Sequence, residues 1–466
     1  MDNLEKNATA KRNRRTRNLV MVTSLSAVVL IASTYAWFTG LQSVSVEPFT
    51  VEISSADSLE LSLNGEQWSD TLTLTKENIL NKEENLGADK VAQKAYKTNT
   101  NNWPINQAPG TTDVDGKRFG LVPISTIGAM NTATSRMIMY EKSSMTTTPG
   151  GYRLLASTVD NDKSASEQKQ KGYVAFDLFV KNYSGTQYLT NDEDPTDTSF
   201  EEAIYLNTDS HVSVATNAGG VASTGIENSV RVAFAQIGRI SAYSRNASAI
   251  TGITCSNKTD GDANDHVTGL CRNAQIWEPN DTAHKQVALN WYDKSCVQRT
   301  GATLTKNDYK TASDKCTTIG LTDYAQTYAI GKPIEVGDSD KVDVYDGLNG
   351  YDTRISTYNT FKTSDTLDKG PLVAFDYFRD TEKLLKGMSR PTFMTLAPNS
   401  ITKVRVYIYI EGQDIDNFDY AQVGKMIEVA FGFTKQRYTA EEILDTNQDQ
   451  DLYNALPTAV TPSRTR

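Results

Sequence analysis

Residues 173–182 read YVAFDLFVKN, and this stretch has the clearest periodicity in the chain. Its apolar side chains occupy every second position: Val174, Phe176, Leu178 and Val180. The charged residues Asp177 and Lys181 fall between them, on the opposite face of an extended chain. Alternation with a period of two is typical of a β-strand that is buried on one face and solvated on the other. We therefore predict a half-buried strand here.

A second stretch, TKVRVYIYI at residues 402–410, repeats this pattern over a similar length. Shorter segments of the same kind lie at 203–206, 212–214, 229–237 and 426–433, with Gly, Asn and Asp frequent between several of them. Regularly spaced short strands with such turn residues are typical of an antiparallel sandwich. The sequence therefore predicts an all-β protein built as an antiparallel β-sandwich.

Composition divides the chain into four parts. They are an apolar leader (1–36), a β-sandwich with long insertions (37–435), a cysteine-containing, loop-rich insertion within it (241–328), and a C-terminal helix and tail (436–466). Thr439 and Glu442 form a capping-box pattern, which predicts a short helix at 440–444.

One local prediction concerns residues 59–74. Leu59, Leu61 and Leu63 alternate up to Asn64-Gly65, a dipeptide typical of type I′ turns. Trp68, Leu72 and Leu74 lie on the returning side. The pattern predicts a β-hairpin.

The N-terminal segment indicates export. Residues 11–18, KRNRRTRN, are strongly basic, and residues 19–38, LVMVTSLSAVVLIASTYAWF, carry no charge. About 20 apolar residues can cross a bilayer, and a basic flank stays on the cytoplasmic side. Thr34 and Ala36 are the small residues that a signal peptidase requires, which predicts a mature chain beginning at Trp37. The alternative is that residues 19–38 are retained as a membrane anchor, and both predictions place the rest of the chain outside the cell or on its surface.

The charge of the chain argues against one class of partner. The formal net charge is −10, and removal of the basic leader makes the remainder more acidic. Nucleic-acid binding depends on clustered Lys and Arg that displace counterions from phosphates. We therefore expect no nucleic-acid partner.

Four cysteines, Cys255, Cys271, Cys296 and Cys316, lie within the predicted insertion. An even number in an exported chain indicates two disulfides, for which three pairings exist. Pairing of neighbours would close short loops and stabilise each by about 3 kcal/mol. A zinc site would need closely spaced ligand pairs such as C-x₂-C, and the sequence has none.

The end of the leader resembles that of the TasA/camelysin family, exported surface and biofilm-matrix proteins of Gram-positive bacteria. The resemblance lies in Thr34-Tyr35-Ala36 followed by Trp37-Phe38-Thr39. It implies cleavage by a dedicated (SipW-type) signal peptidase, a jelly-roll β-sandwich and, for some members, assembly into fibres. In those fibres the mature N-terminal segment fills a groove in the next subunit. The resemblance covers roughly 40 residues, and this chain is longer than a typical member.

The segment after the predicted cleavage site, WFTGLQSVSVEPFTVEI, suits such a donated strand. Its alternating candidates are Phe38, Val44, Val46, Phe49, Val51 and Ile53. An extended segment can add to the exposed sheet edge of a neighbour through main-chain hydrogen bonds. The alternative is that it is the first strand of its own sandwich.

Catalytic motifs are absent from the sequence. There is no H-E-x-x-H, G-x-S-x-G or P-loop, and we interpret His211, His266 and His284 as surface residues. We therefore predict that the chain is not an enzyme, with a secreted hydrolase that uses paired carboxylates as an alternative.

Cofactor binding has only weak support. Glu411, Asp414 and Asp416 follow the strand at 402–410 and are weak candidates for a calcium site, with an ordinary acidic loop as the simpler interpretation. No other cofactor is indicated.

These observations favour an exported structural or adhesion protein of the cell surface or extracellular matrix, with self-association into fibres or binding to surface components. The alternative without catalysis is a membrane-anchored extracellular module that binds a carbohydrate or a protein. In that case residues 19–38 contact the membrane.

Overall fold

The structure is a computed structural model. It describes residues 47–55, 58–74, 121, 123–148, 151–158, 172–184, 194–215, 225–259, 261–286, 328–330, 343–346, 372–412, 414, 416–417 and 426–438. Strands predominate in these residues and most of their pairings are antiparallel, which confirms the all-β prediction. The jelly-roll arrangement stays a prediction.

The strands in the first half of the chain are β1 (Glu47–Ser55), β2 (Leu59–Ser62), β3 (Thr71–Leu74), β4 (Ile124–Ser125), β5 (Met130–Asn131), β6 (Arg136–Met137), β7 (Tyr140–Thr148), β8 (Gly151–Thr158), β9 (Tyr173–Asn182), β10 (Glu202–Leu206) and β11 (His211–Val214). Those in the second half are β12 (Val230–Ser241), β13 (Thr268–Gly269), β14 (Gln275–Glu278), β15 (Tyr328–Ile330), β16 (Asp343–Asp346), β17 (Leu372–Ala374), β18 (Phe378–Arg379), β19 (Met394–Leu396), β20 (Ser400–Ile410) and β21 (Met426–Thr434). The described helices are α1 (Ala247–Thr251), α2 (Asp380–Lys383) and 3₁₀ turns at Ile226–Ser229, Ala263–Asp265 and Gly387–Ser389.

Two large sheets form the sandwich. Sheet one has the order β19-β10-β21-β1-β3, with β11 also paired to β21. Sheet two has the order β18-β14-β12-β20-β9-β2, with β13 also paired to β12. Smaller sheets join β16-β8-β7-β4, β15-β17 and β5-β6.

The core between the sheets is apolar and comes from alternate positions of both. On β9 these are the four residues of the periodic stretch, and on β20 they are Val404, Val406, Ile408 and Ile410. Phe234 of β12 meets Phe393, Phe431 and Phe433 edge to face, with ring centroids 5.0–5.7 Å apart. Such aromatic contacts add to the free energy gained by burial.

The outer face of sheet two is also covered, which the sequence did not predict. All ten residues of β9 are buried, including Asp177 and Lys181. A second apolar cluster lies on this face, and it includes residues of 124–139 and 250–276. Polar strand residues hold this cover in place: Arg405 Nη1 donates to the carbonyl of Ser135, and Lys403 Nζ to that of Thr251. The prediction of a half-buried strand was therefore wrong.

The predicted hairpin at 59–74 forms only next to its turn, where Leu61 and Ser69 exchange two backbone hydrogen bonds, because its outer arms enter different sheets. β2 pairs with β9 in sheet two, and β3 pairs with β1 in sheet one. The turn is not the type I′ turn that Asn64-Gly65 predicts: Gly65 has a φ of 72°, but Asn64 is not among the described residues with positive φ. Instead, Asn64 Oδ1 accepts from the amides of Glu66 and Gln67. A turn signal identifies a reversal of the chain but does not choose the sheet that each arm joins.

The predicted insertion at 241–328 belongs partly to the sandwich. It contributes β13 and β14 to sheet two, and α1 lies beside β20. The C-terminal helix predicted at 440–444 lies outside the described residues.

Candidate functional site

The strand-donor candidates lead to β1, which begins the described part of the chain. It runs parallel to β21, the last of the described strands, with Val51 opposite Val429 and Ile53 opposite Phe431. On its other side it is antiparallel to β3. The side chains of Val51 and Ile53 are 0% and 1% exposed, so they form part of the core. In the single chain, β1 is thus a strand of its own sandwich.

The other donor and cleavage residues cannot be placed in the same way. Phe49 is in β1, whereas Thr34, Ala36, Trp37, Phe38, Val44 and Val46 lie outside the described residues. Among the helices that the structure does describe, none has the length and hydrophobicity that crossing a membrane requires.

One disulfide is present in the described residues. It joins Cys255 to Cys271, whose Cα atoms are 4.9 Å apart. Cys296 and Cys316 lie outside the described residues, so their pairing stays a prediction. Cys255 follows α1 and Cys271 follows β13, so the bridge closes a loop that includes β13. Cys255 also packs against the apolar cluster on the outer face of sheet two.

The acidic candidates Glu411, Asp414 and Asp416 are brought into a buried ionic cluster at the end of β20. Arg231 of β12 lies at its centre with its side chain 0% exposed. Its Nη2 donates to Glu278 Oε1 at 2.6 Å and also contacts Asp414 Oδ2. Glu411 accepts from the Tyr377 hydroxyl at 3.0 Å. These carboxylates therefore meet cationic and hydroxyl groups of the chain itself.

Asp416 forms the second half of the cluster with His284. The distance from His284 Nδ1 to Asp416 Oδ2 is 2.7 Å, and the amide of Lys285 donates to Asp416 Oδ1 at 3.0 Å. The His284 side chain is 6% exposed. The prediction of a surface histidine was wrong for this residue. It was made from the polar sequence around His284, and that sequence does not reveal a carboxylate 132 positions further along the chain.

Burial and neighbouring charges shift the pKa values of the cluster. Burial disfavours the charged form of His284, but the hydrogen bond to Asp416 and the charge of Asp414 outweigh it and raise the pKa of the imidazole. Burial raises the pKa of Asp416, although His284 acts in the opposite direction. For Arg231, burial is outweighed by Glu278 and Asp414, which raise its pKa. The cluster therefore holds its protons more tightly than free side chains do.

The arrangement is suited to joining chain segments. It connects Arg231 with Glu278 and Asp414, and His284 with Asp416, so three stretches that are distant in sequence meet here. In the residues that the structure describes, no group of three or more His, Cys, Asp or Glu side chains could hold a metal ion. The calcium interpretation thus gains no geometric support, because the oxygens of the acidic candidates already face Arg231, Tyr377 and His284.

Sequence reasoning missed Arg231 and Glu278 entirely. Arg231 alternates with Val230 and Val232, so the pattern assigns it to a solvated face. The available signal was the charged residue within an otherwise apolar strand, together with the D-x-D motif that follows β20. Only the fold shows that Arg231 contacts Glu278 and Asp414.

Comparisons with known protein families, with curated proteins and with solved structures found no match.

Proposed function

We propose that this chain is an exported structural protein of the cell surface or extracellular matrix that self-associates by exchange of β1. The observation that carries the proposal is the parallel pairing of β1 with the last of the described strands, β21. A strand near the N-terminus thereby fills a place in the sheet between β21 and β3. A strand of identical sequence from another copy would fit the same place.

The contacts of β1 support exchange because the β1 strand of another copy could make the same contacts with β21 and β3. Thr50 to Ser55 are in continuous register with Glu428 to Phe433. Val51 and Ile53 supply the buried apolar side chains. Main-chain pairing gives affinity in such strand addition, and alternate side chains give specificity. Exchange of an identical element between protomers adds no new type of contact and is a low-cost route to assembly.

The connection from β1 to β2 is the segment that would act as a hinge. Only residues 56–58 separate the strands, although β1 belongs to sheet one and β2 to sheet two. Ser58 has a φ of 66°, a left-handed conformation that disfavours residues other than glycine. Short strained hinge loops favour domain swapping. β2 would stay on β9 while β1 leaves with its N-terminal extension.

Export is supported by the basic and apolar leader, and by the Cys255–Cys271 disulfide, since disulfides persist in oxidising compartments. The absence of catalytic motifs in the sequence is consistent with a structural role.

Cysteine cross-linking tests the exchange. Thr50 and Glu428 are register partners on β1 and β21, so a Thr50→Cys/Glu428→Cys chain can be treated with a short thiol-specific cross-linker. Exchange predicts covalent dimers and longer ladders on a denaturing gel, whereas a strand retained by its own chain gives monomers. The matched control is Ser213→Cys/Glu428→Cys, because Ser213 of β11 pairs with the same Glu428 from the other side. That pair should give monomers in either case, and monomers from both would reject exchange.

A further inference from the structure

A second group of buried charges, separate from β1 and from the ionic cluster of Arg231, lies where β12 approaches β19. It contains Arg239 and Arg272, which share the carboxylate of Glu201. Arg239 Nη1 is 2.5 Å from Glu201 Oε1, and the Arg239 side chain is 1% exposed. Gln236 Nε2 donates to the carbonyl of Thr395 at 2.7 Å, so the group lies between the two sheets.

Half of the Arg239 guanidinium has no hydrogen-bond partner among the residues that the structure describes. Its Nε and Nη2 atoms are buried, and neither donates to an acceptor in that part of the chain. These two atoms form the side of the guanidinium that binds a carboxylate through two parallel hydrogen bonds. Leaving buried charged donors without acceptors is costly, so such a group indicates a missing partner.

In Arg405, the corresponding Nε and Nη2 atoms both have an acceptor. There Nε donates to Asp177 Oδ1 at 2.6 Å and Nη2 to Asp177 Oδ2 at 3.0 Å. Arg239 has the equivalent donors free. The comparison identifies the chemistry that would satisfy Arg239, namely two oxygens of one planar anion.

Glu201 cannot provide those oxygens, because its carboxylate is already saturated. It accepts from Arg239 Nη1, from Arg272 through Nη1 and Nη2, and from Thr395 Oγ1 at 2.6 Å. The remaining contacts of Arg272 are to neutral oxygens, Gln236 Oε1 at 3.1 Å and the carbonyl of Pro195 at 2.9 Å. Two guanidinium groups and one carboxylate leave one positive charge in excess. A buried excess charge of this kind attracts an anion.

The ring of Phe200 lies over the Arg239 guanidinium, 5.2 Å from its centre. Phe200 is partly buried, and it follows residues 194–199, most of which are exposed.

We propose that Arg239, with Arg272 beside it, forms a binding site for a carboxylate group, which docks on the free Nε and Nη2 atoms. The carboxylate can come from a small free acid or from a side chain of an acidic polymer, and the chemistry of the contact is the same.

Thermal unfolding of the full chain tests the site with formate as the probe. Sodium formate replaces sodium fluoride at constant ionic strength and pH 7, because fluoride is strongly hydrated and lacks the paired oxygens. We expect a saturable rise of the unfolding midpoint by about 1–3 °C once formate exceeds its dissociation constant tenfold. Acetate should act in the same way, and acetamide, its neutral analogue, should not.

The variant Arg239→Lys retains the positive charge but removes the two parallel donors, so it should lose the formate response. Arg405→Lys is the matched control, since Asp177 already accepts from Nε and Nη2 of Arg405. This variant should keep the formate response whatever its own stability. A wild-type midpoint that does not respond to formate, or responds equally to acetamide, overturns the proposal even if the Arg239 variant fails to fold. An unchanged response in a folded Arg239→Lys chain also overturns it.

A tetraglutamate peptide distinguishes the two sources of the carboxylate. If the peptide raises the midpoint at a lower carboxylate concentration than formate does, the site accepts an acidic chain. If formate acts and the peptide does not, the ligand is a small free acid.

Discussion

Arg405 and Asp177 form a buried ion pair with two parallel hydrogen bonds on the outer face of sheet two. Lys403 Nζ lies 3.1 Å from the same carboxylate. Burial raises the pKa of Asp177, but Arg405 and Lys403 outweigh this effect and lower it. Two basic residues of β20 are therefore joined to one acidic residue of β9. Each of the two also donates to a backbone carbonyl of the segments that cover the face.

Replacement of Asp177 by Asn should strongly destabilise the fold. It removes the only carboxylate that contacts Arg405 and Lys403 in the described residues, and it leaves one buried and one partly buried cation. Breaking a buried pair in this way costs about 3–5 kcal/mol. Urea unfolding measures the loss. The control is Glu60→Gln, whose ion pair with Lys181 is 3.4 Å long and has a Glu side chain 41% exposed. It should cost less than about 1 kcal/mol, and equal losses in the two variants would contradict the assignment.

The raised pKa of His284 gives a prediction about the pH dependence of stability. Its folded pKa is above the ordinary 6.5, so its contribution to stability is fully present below pH 6.5 and is lost as the pH rises through the folded value. The unfolding midpoint of the wild type should therefore fall over this interval. His284→Asn should remove that part of the pH dependence, whereas His211→Asn, at an exposed histidine, should not. Parallel pH curves for wild type and His284→Asn would refute the coupling to Asp416.

The sequence was sufficient to predict β9, β12, β20 and β21, but not β13 and β14, and not what lies on either side of the strands. Alternation in β9 and β20 correctly identified the residues of the core, because a period of two places them on one face. It misassigned Asp177 and Arg405, because the same pattern arises whether the polar face meets water or meets polar partners. The cover of that face comes from residues far away in sequence, and local periodicity carries no information about them.

The sequence likewise identified the acidic residues of the ionic cluster but not their partners. Glu411, Asp414 and Asp416 attracted attention because acidic residues are close together in the sequence. Asp414 and Asp416 have their partners, Arg231 and His284, more than 100 positions away along the chain, whereas Glu411 accepts from Tyr377, 34 positions away. Contacts of that kind depend on topology, which a hydrophobic pattern does not specify.

The Cys255–Cys271 disulfide should contribute about 3 kcal/mol, the value expected for a loop of this length. The double variant Cys255→Ser/Cys271→Ser should lose that amount in urea unfolding. Dithiothreitol provides the second measurement. If it destabilises the double variant further, Cys296 and Cys316 form the second bridge, and if it has no further effect they do not. A double variant as stable as the wild type would contradict the structural role of the observed bridge.

Phe234→Ala should be among the most damaging core substitutions. The ring contacts three other phenylalanines between the sheets, and removal of such a side chain costs about 3–5 kcal/mol because a cavity remains. Tyr243→Ala is the matched aromatic control, since Tyr243 follows the end of the same strand and is 61% exposed. Its effect should stay within about 0.5 kcal/mol. Unfolding in guanidinium chloride would distinguish the two, and a small loss at Phe234 would contradict the core described for the sandwich.

Cleavage of the leader decides whether β1 has a free N-terminal extension. We expect the exported protein to begin at Trp37, because Thr34 and Ala36 provide the small residues that a signal peptidase requires. Ten residues would then precede β1, and nothing would tether them to the membrane. N-terminal sequencing of protein recovered from outside the cell measures this directly, and Ala36→Leu should prevent the cut. An intact Met1 on the exported chain would favour the membrane-anchored module instead. A tethered N-terminus would also restrict the exchange of β1 to neighbours on the same membrane.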